Sequence, residues 1–529
     1  MRIRSPIRGL LLAAVLIALG AAPVAAAAPY GESPAIAWQT LLGGNGTDYG
    51  SDAQQTSDGG YILLGYSDSS ASGDVTGTNH GGNDLWVVKL DSAGTVQWQQ
   101  LLGGSGNEYA LLHSVQQTSD GGYVLVGSSY SSASGDVTGT NHGDSDYWVV
   151  KLDGAGTVQW QRLLGGIQGD WCSSVQQTSD GGYVLFGSSY SSASGDVAGT
   201  NHGTSLEDFW VVKLDGAGTV QWQELLGGNG MDIGLSAQQT SDGGYVLIGC
   251  SYSSASGDVA GTNHGDFDLW VVKLDGAGTA QWQQLLGGSG RDVGFSVRQT
   301  VDGGYILLGS YDSSASGDVA GTSHGGNDAW VVKLNGAGAI EWQKLLGGSG
   351  DEYGYSVLQN ADGGYVLFGG SSSADGDITD TPHGLNDCWV VKLDSAGAIE
   401  WQKLLGGSGR DGGFSVQQTA DGAYVLFGYS ESSASGDVTG ASHGGGDLWM
   451  VKLTGSMSSI PGAVGYSTDT DDDGLCDDVN GNGHADFADV VLYFNQMTWI
   501  AANEPMAAFD CNGNGRIDFA DVVWLFDHL

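Results

Sequence analysis

The chain has 529 residues, 60 of them acidic and 17 basic, for a formal net charge of −43. A field of that sign argues against nucleic acid and anionic membrane surfaces as partners and favours cations, calcium above all. Five cysteines in this length are too few for a disulfide framework.

The chain opens MRIRSPIRGLLLAAVLIALG, with Arg2, Arg4 and Arg8 ahead of an apolar run and small residues leading to Pro29. This reads as a secretory signal peptide over residues 1–28, cleaved near Ala26 to Ala28, and it places the mature protein outside the cell, secreted or at the cell surface. No later segment approaches the roughly 18 apolar residues of a spanning helix, so no membrane span is expected.

From residue 36 to residue 453 the chain repeats itself. The tryptophan of a WQxLL segment recurs at Trp38, Trp98, Trp160, Trp222, Trp282, Trp342 and Trp401, with spacings of 60, 62, 62, 60, 60 and 59 residues. A period of that size marks stacked supersecondary units, here seven. The second unit shows four strand-like runs, TVQWQQLL, HSVQQT, GYVLVG and DYWVVKL, separated by GGSGNE, SDG, a long SSYSSASGDVTGTNHGDS and DGAG. The runs are rich in Val, Tyr, Trp and Leu and the connections in Asp, Gly and Ser, as strands and tight turns require. YVLVG and WVVKL are apolar on nearly every residue, the pattern of strands covered on both faces. The expected fold is all-β: a seven-bladed β-propeller of four-stranded blades, with a small α-helical calcium-binding module at the C-terminus. Residues 36–42, IAWQTLL, begin at a fourth strand, and the last unit stops after its third, so the N-terminal strand is expected to complete the final blade. One lysine per unit (Lys89, Lys151, Lys213, Lys273, Lys333, Lys392 and Lys452) reads as a blade-to-blade hydrogen-bonding or stem-packing residue. The repeat wording, KLDGAGTVQWQxLLGGSGxDxGxSVQQTSDGGYVLxG, resembles the SBBP family of bacterial and archaeal propeller repeats. That resemblance implies a propeller in a surface or secreted setting and no defined activity.

Antiparallel strand order puts the tight SDG and DxAG turns on one face and the GGxGxD and SSASGDVxGTNHG loops on the other. The long-loop face is therefore where a glycan or surface protein would bind. Each unit carries three recurring acids there, typified by Asp48, Asp74 and Asp84, and a histidine, typified by His80. They read as loop-tying groups that accept backbone N–H bonds; a cation held within each loop by its SGD and pre-strand aspartates is the alternative. A catalytic site needs a blade that differs. The visible departures are the insertion around Leu111 to His113, Trp171 with Cys172, TSLED at Thr204 to Asp208, and DGDITD at Asp375 to Asp380. None singles out an acid pair for glycoside hydrolysis, and no nucleophile motif or phosphate loop occurs.

A linker, residues 454–467, leads to the tail, residues 468–529. Two twelve-residue acidic loops there each run into an apolar helix, DVNGNGHADFAD from Asp478 and DCNGNGRIDFAD from Asp510. Oxygen-bearing side chains fall at positions 1, 3, 5, 9 and 12, glycine at 6, and a backbone carbonyl at 7, the spacing that wraps a calcium ion. Asp478, Asn480, Asn482, Asp486 and Asp489, with the His484 carbonyl, form one set. Asp510, Asn512, Asn514, Asp518 and Asp521, with the Arg516 carbonyl, form the other. Asp469, Asp471, Asp473 and Asp477 are spaced like a further, partial loop. Cys476 and Cys511 flank the loops and could pair. Val490, Val491, Phe494 and Met497 line one face of the first helix, and Val522, Val523 and Phe526 one face of the second. Neither loop has a leading helix, and the pair closely resembles a dockerin module. That resemblance implies a cohesin-like or other envelope protein as partner, recognised through loop positions 10 and 11, here Phe487-Ala488 and Phe519-Ala520 where a Ser/Thr pair is usual. Three functions follow: a non-catalytic binding propeller tethered by a calcium-dependent tail, a polysaccharide-degrading component of a cellulosome-like complex, or an adhesin or envelope structural protein.

Overall fold

The computed structural model describes residues 33–203, 206–312, 316–419, 422–454, 479, 487–503, 509–511 and 516–528. The leader, nearly all of the linker and most of the acidic loops lie outside these residues. Strand β1 is Ile36–Leu42, followed by β2 (Asp48–Gln55), β3 (Tyr61–Ser67), β4 (Asp84–Leu90) and β5 (Val96–Leu102). β2 to β5 form one antiparallel sheet in sequence order, and six further sheets repeat the pattern to give a seven-bladed propeller. In β4 every residue is buried, and in β3 all but Tyr66, because neighbouring blades cover both faces of each sheet. That cover explains why these runs lack the usual polar alternation. β5, at the rim, is half exposed over most of its length.

Adjacent blades meet through one aromatic contact repeated round the ring. The outer-strand tryptophan of one blade meets, edge to face, the tyrosine that opens the second strand of the next: Trp38 with Tyr61, Trp98 with Tyr123, and five equivalents, with centroids 5.4–5.7 Å apart. Such pairs add about 0.5–1.5 kcal/mol each beyond the area they bury. The DxAG turn makes room for the indole. Gly94 has φ +80°, and a Cβ there would lie 3.0 Å from Trp38 Cζ3, so glycine satisfies both the turn and the contact. A second clamp works within each blade. Trp86 is fully buried, its Nε1 donates to Gln99 Oε1 (3.0 Å), and Gln99 Nε2 donates to the Asp74 carbonyl (2.8 Å).

The recurring lysine acts inside its own blade, which corrects the blade-to-blade reading. Lys89 Nζ stands 3.0 Å from Asp58 in the β2–β3 turn and donates to the Leu90 carbonyl at 2.8 Å. Lys151, Lys213, Lys273, Lys333 and Lys392 repeat the ion pair. The third strand ends beside the turn joining the first two, so the nearest carboxylate belongs to the same sheet.

Ring closure is as expected. β1 pairs antiparallel with Asp447–Leu453, the third strand of the last blade, from Ile36↔Leu453 to Leu42↔Leu448. Gln39 takes the Trp449 Nε1 bond (3.0 Å) and donates to the Asp437 carbonyl (2.7 Å), reproducing the intrablade clamp with residues from opposite ends of the ring. Deleting residues 33–42 should uncover the edge of Asp447–Leu453 and remove the burial of Trp38, Leu41 and Leu42. The loss is about 5 kcal/mol or more at about 1.5–3 kcal/mol per large apolar side chain. Calorimetry should show a lower, less cooperative melt, and gel filtration should show self-association through the open edge.

Candidate functional site

The recurring acids of the long-loop face are spent on holding blades together. Asp48 accepts Gly44 N–H (2.7 Å) and the hydroxyls of Ser67 and Ser69. Asp84 accepts His80 N–H and faces His80 Nδ1, both at 2.8 Å, and Asp136 of the next blade lies 3.6 Å from the same ring nitrogen. Asp74 accepts Gly43 N–H (3.2 Å) and sits 3.6 Å from His443. The SGD aspartate and the pre-strand aspartate of one loop thus serve opposite junctions, Asp74 the one behind and Asp84 the one ahead. A cation held within a loop by both finds them pointed apart, and among the described residues no group of three or more His, Cys, Asp or Glu has metal-holding geometry.

Each junction brings two of these carboxylates close together. A Cβ added to Gly103 would strike both Asp84 and Glu108, and the same holds for Asp146 and Asp170 at Gly165 and for Asp268 and Asp292 at Gly287. Only glycine leaves room there. Burial, with the neighbouring acid adding to it, pushes Asp170 and Asp232 up to about 6 and Asp292 up to about 7.

Where the blades differ, two of the four departures meet. Trp171 and Glu207, which belong to two separate departures, line one groove of about 760 Å³ between the second and third blades. Its walls are Tyr130, Trp171, Tyr190, Gln168, Asp144 and Glu207. Glu207 has no counterpart at its position in the other repeats. It is 9% exposed, and burial raises its carboxyl to about 7 despite a bond from the Tyr190 hydroxyl. From Trp171 a chain of half-buried rings runs through Tyr130, Tyr109, Tyr66 and Tyr49 to Tyr429, Phe414, Tyr355 and Phe295, with neighbouring centroids 4.5–6.3 Å apart. Part of this arc, with Leu111, Leu112 and Leu235, lines an apolar chamber of about 270 Å³ in the central channel. The insertion of the second blade splits its inner strand into Glu108–Tyr109 and Val115–Gln117 and turns the residues between them toward the channel. The DGDITD departure joins neither cavity. Cys172, Cys250 and Cys388 are buried free thiols in three different blades.

In the tail, helix α1 spans Phe487–Asn503 and helix α2 Phe519–His528. They share a core of Val479, Val490, Tyr493, Ile500, Phe509, Cys511, Val522 and Leu525. The faces read from the sequence are split, since Val490 and Val522 are buried while Phe494 and Phe526 are more than half exposed. Two valines, Val491 and Val523, and Phe519 join these two rings in an apolar groove of about 350 Å³. Of the expected recognition residues, Ala488, Phe519 and Ala520 are exposed, and Phe487 opens α1. Of the expected calcium ligands, Asp489 and Asp521 are fully buried at equivalent places, Asp510 and Asp518 are half-buried, and Arg516 is exposed. Asp518 and Asp521 form a capping box on α2: Ala520 N–H donates to Asp518 Oδ1 (2.8 Å) and Asp518 N–H to Asp521 Oδ2 (2.7 Å). Asp469, Asp471, Asp473, Asp477, Asp478, Asn480, Asn482, His484, Asp486, Asn512 and Asn514, and also Cys476, lie outside the described residues. No described helix is long and apolar enough to cross a membrane.

No family model matches the chain. A regulatory protein, FlaEY of Caulobacter vibrioides, is 25% identical over 388 residues, covering 65% of this chain. The chain accounts for only 39% of that relative's length. Among solved structures, BamB from Moraxella catarrhalis is similar at 14% identity and TM-score 0.35 over 79% of this chain and 88% of that one. The Pan2 WD40 domain of Neurospora crassa is similar at 10% identity and TM-score 0.41, over 80% of this chain and 100% of that one. Overlap at that level carries no argument about function.

The acids give a pH dependence with a definite sign. Asp52, Asp170, Asp232, Asp292 and Glu207 have carboxyls raised to about 6–7. The folded state therefore binds protons more tightly than the unfolded chain, and this contribution is full below about pH 4 and is lost as pH rises to 7. The turn acids Asp58, Asp120, Asp180, Asp242 and Asp302, hydrogen-bonded by a threonine hydroxyl and by lysine, are lowered to about 2 and withdraw their contribution only between about pH 4 and 2. Thermal stability should peak near pH 4 in chelator-containing buffer. Asp292→Asn should raise the melting temperature at pH 7.5 and leave it unchanged at pH 4.

Proposed function

We propose that this protein is a secreted or cell-surface binding propeller, without catalytic activity of its own, that holds a glycan against its long-loop face and is tethered by a calcium-dependent, dockerin-like tail. The observation that carries the binding reading is the meeting of two of the departures. The repeated polar groups are consumed in internal bonds, while Trp171, Tyr130, Tyr190 and Glu207 surround an open groove. Half-buried aromatic rings beside polar groups suit the alternating apolar and hydroxylated faces of a sugar. The SBBP-like wording of the repeats agrees with a surface setting, and a relative in sequence is described as a regulatory protein.

The tether rests on the paired loops. Each runs into a helix, the two helices share a core, and the last ligand of each loop, Asp489 and Asp521, is buried at the same point of its helix. The exposed groove of Phe494, Phe519 and Phe526 beside the recognition positions offers a cohesin-like or other envelope protein an apolar surface to cover. A second reading, glycan degradation, draws on Glu207 alone: a carboxyl poised near 7 in a groove suits a general acid.

Two measurements separate these readings. On a glycan array, Trp171→Ala should abolish binding, whereas loss of slow hydrolysis rather than binding in Glu207→Gln would favour the enzyme. Titration of the full chain with calcium should fill two tail sites, each worth about 4 kcal/mol at a thousandfold excess over its dissociation constant. Asp489→Ala and Asp521→Ala should each remove one site. Chelator should lower the helical circular dichroism and release any retained envelope protein; retention that persists in chelator refutes the tether.

A further inference from the structure

In the half of the central channel nearest the tight turns lies a second cavity, of about 450 Å³, unconnected with the groove reading above. Aligning the seven inner strands by their final residue shows how it departs from sevenfold symmetry. Six blades place serine where the first has Asp52, and five place glutamine where the fifth has Arg298 and the sixth Leu358.

The symmetric part is a ring of donors. Gln54, Gln116, Gln176, Gln238 and Gln417 each use the side-chain carbonyl to accept an N–H from the neighbouring blade. Their amide NH₂ groups, which find no protein acceptor among the described residues, are left for the cavity they line. Arg298 adds a charge to that ring. Its guanidinium spends one N–H on the Val297 carbonyl (2.9 Å) and one on His113 Nδ1 (3.2 Å), leaving the rest of its fork for the cavity. An arginine always donates, so His113 Nδ1 accepts. Burial and the adjacent guanidinium hold the imidazole well below its usual range and therefore neutral. The bond joins the second blade to the fifth, across the channel. Asp52 acts on Arg298 only through space: its oxygens are taken by Ala53 N–H (2.9 Å), Val115 N–H (3.2 Å) and the Ser415 side chain, and it makes no close ion pair with the guanidinium.

A chamber rich in NH₂ donors, with one planar cationic fork and few free acceptors, selects an acceptor-rich anion of matching shape. We propose that this channel chamber is a binding site for a small hydroxylated carboxylate, its carboxyl group paired with Arg298 and its hydroxyl oxygens accepting from the glutamine ring. The site lies on the side away from the aromatic groove and is independent of it.

Calorimetric titration of the full chain with gluconate, sorbitol and inorganic phosphate at neutral pH tests this. Gluconate should bind, sorbitol, which carries a CH₂OH group in place of the carboxylate, should not, and phosphate should bind more weakly. Arg298→Gln restores the residue that five blades already carry there; it should fold with an unchanged melting temperature and weaken gluconate at least tenfold. Arg298→Lys keeps the charge without the fork and should fall between the two, while Trp171→Ala should leave gluconate binding intact. Gluconate affinity that survives Arg298→Gln, equal binding of sorbitol, tighter binding of phosphate, or no heat with any of the three overturns the proposal.

Discussion

The contact on which the rest depends is the edge-to-face meeting of an outer-strand tryptophan with the next blade's tyrosine, as in Trp98 with Tyr123. No blade has a core of its own. The middle strands are apolar on both faces, and each hydrophobic cluster of the ring draws its residues from adjacent blades, as when Leu64 and Val87 share one with Tyr123 and Trp148. A sheet of this kind is stable only when flanked, and the tryptophan–tyrosine contact sets the distance and angle at which flanking occurs. Strand length, turn chemistry and the glycine beneath each indole follow from that requirement.

The same repetition divides labour among the polar residues. Groups present in every blade, such as the His80–Asp84 pair, the Lys89–Asp58 pair and the Gln99 clamp, satisfy one another and have little left to offer a ligand. Groups present once are the ones facing open space. Glu207 and Trp171 face the groove, and Arg298 and His113 face the channel. In a near-symmetric ring the asymmetric residues are where selection for anything other than the fold can act.

Much of this was legible in the chain before folding. The tryptophan period yields seven blades, the apolar runs yield sheets covered on both faces, and the orphan fourth strand at Ile36 yields the closure. Trp171 and Glu207 also stand out within departures from the repeat, but their meeting does not. Tyr130 and Tyr190 belong to the repeated SSY wording and look ordinary until blade packing brings them beside Glu207. Arg298 and Asp52 are single-letter changes inside regular strands, visible only when inner strands are aligned residue by residue. The lysine was misread because strand order within a blade, not between blades, decides which turn lies next to its amine. The tail's spacing pointed to calcium, yet the same spacing also writes a capping box, which the pattern alone does not distinguish.

The closing strand has a consequence for how the ring comes into being. Gln39 and Trp449, joined by a hydrogen bond in the finished structure, stand 410 positions apart. In vectorial synthesis the first strand of the ring to emerge is thus the last to find its place. For the time it takes to make six blades and three strands of the seventh, an apolar strand must remain unpaired while partial rings with two bare edges accumulate behind it. Long-range closure of this kind is slow and exposes edges to other chains. The charges scattered over the loops give such intermediates a common sign, and the mutual repulsion of half-built rings is a means of keeping them apart until their own first strand returns.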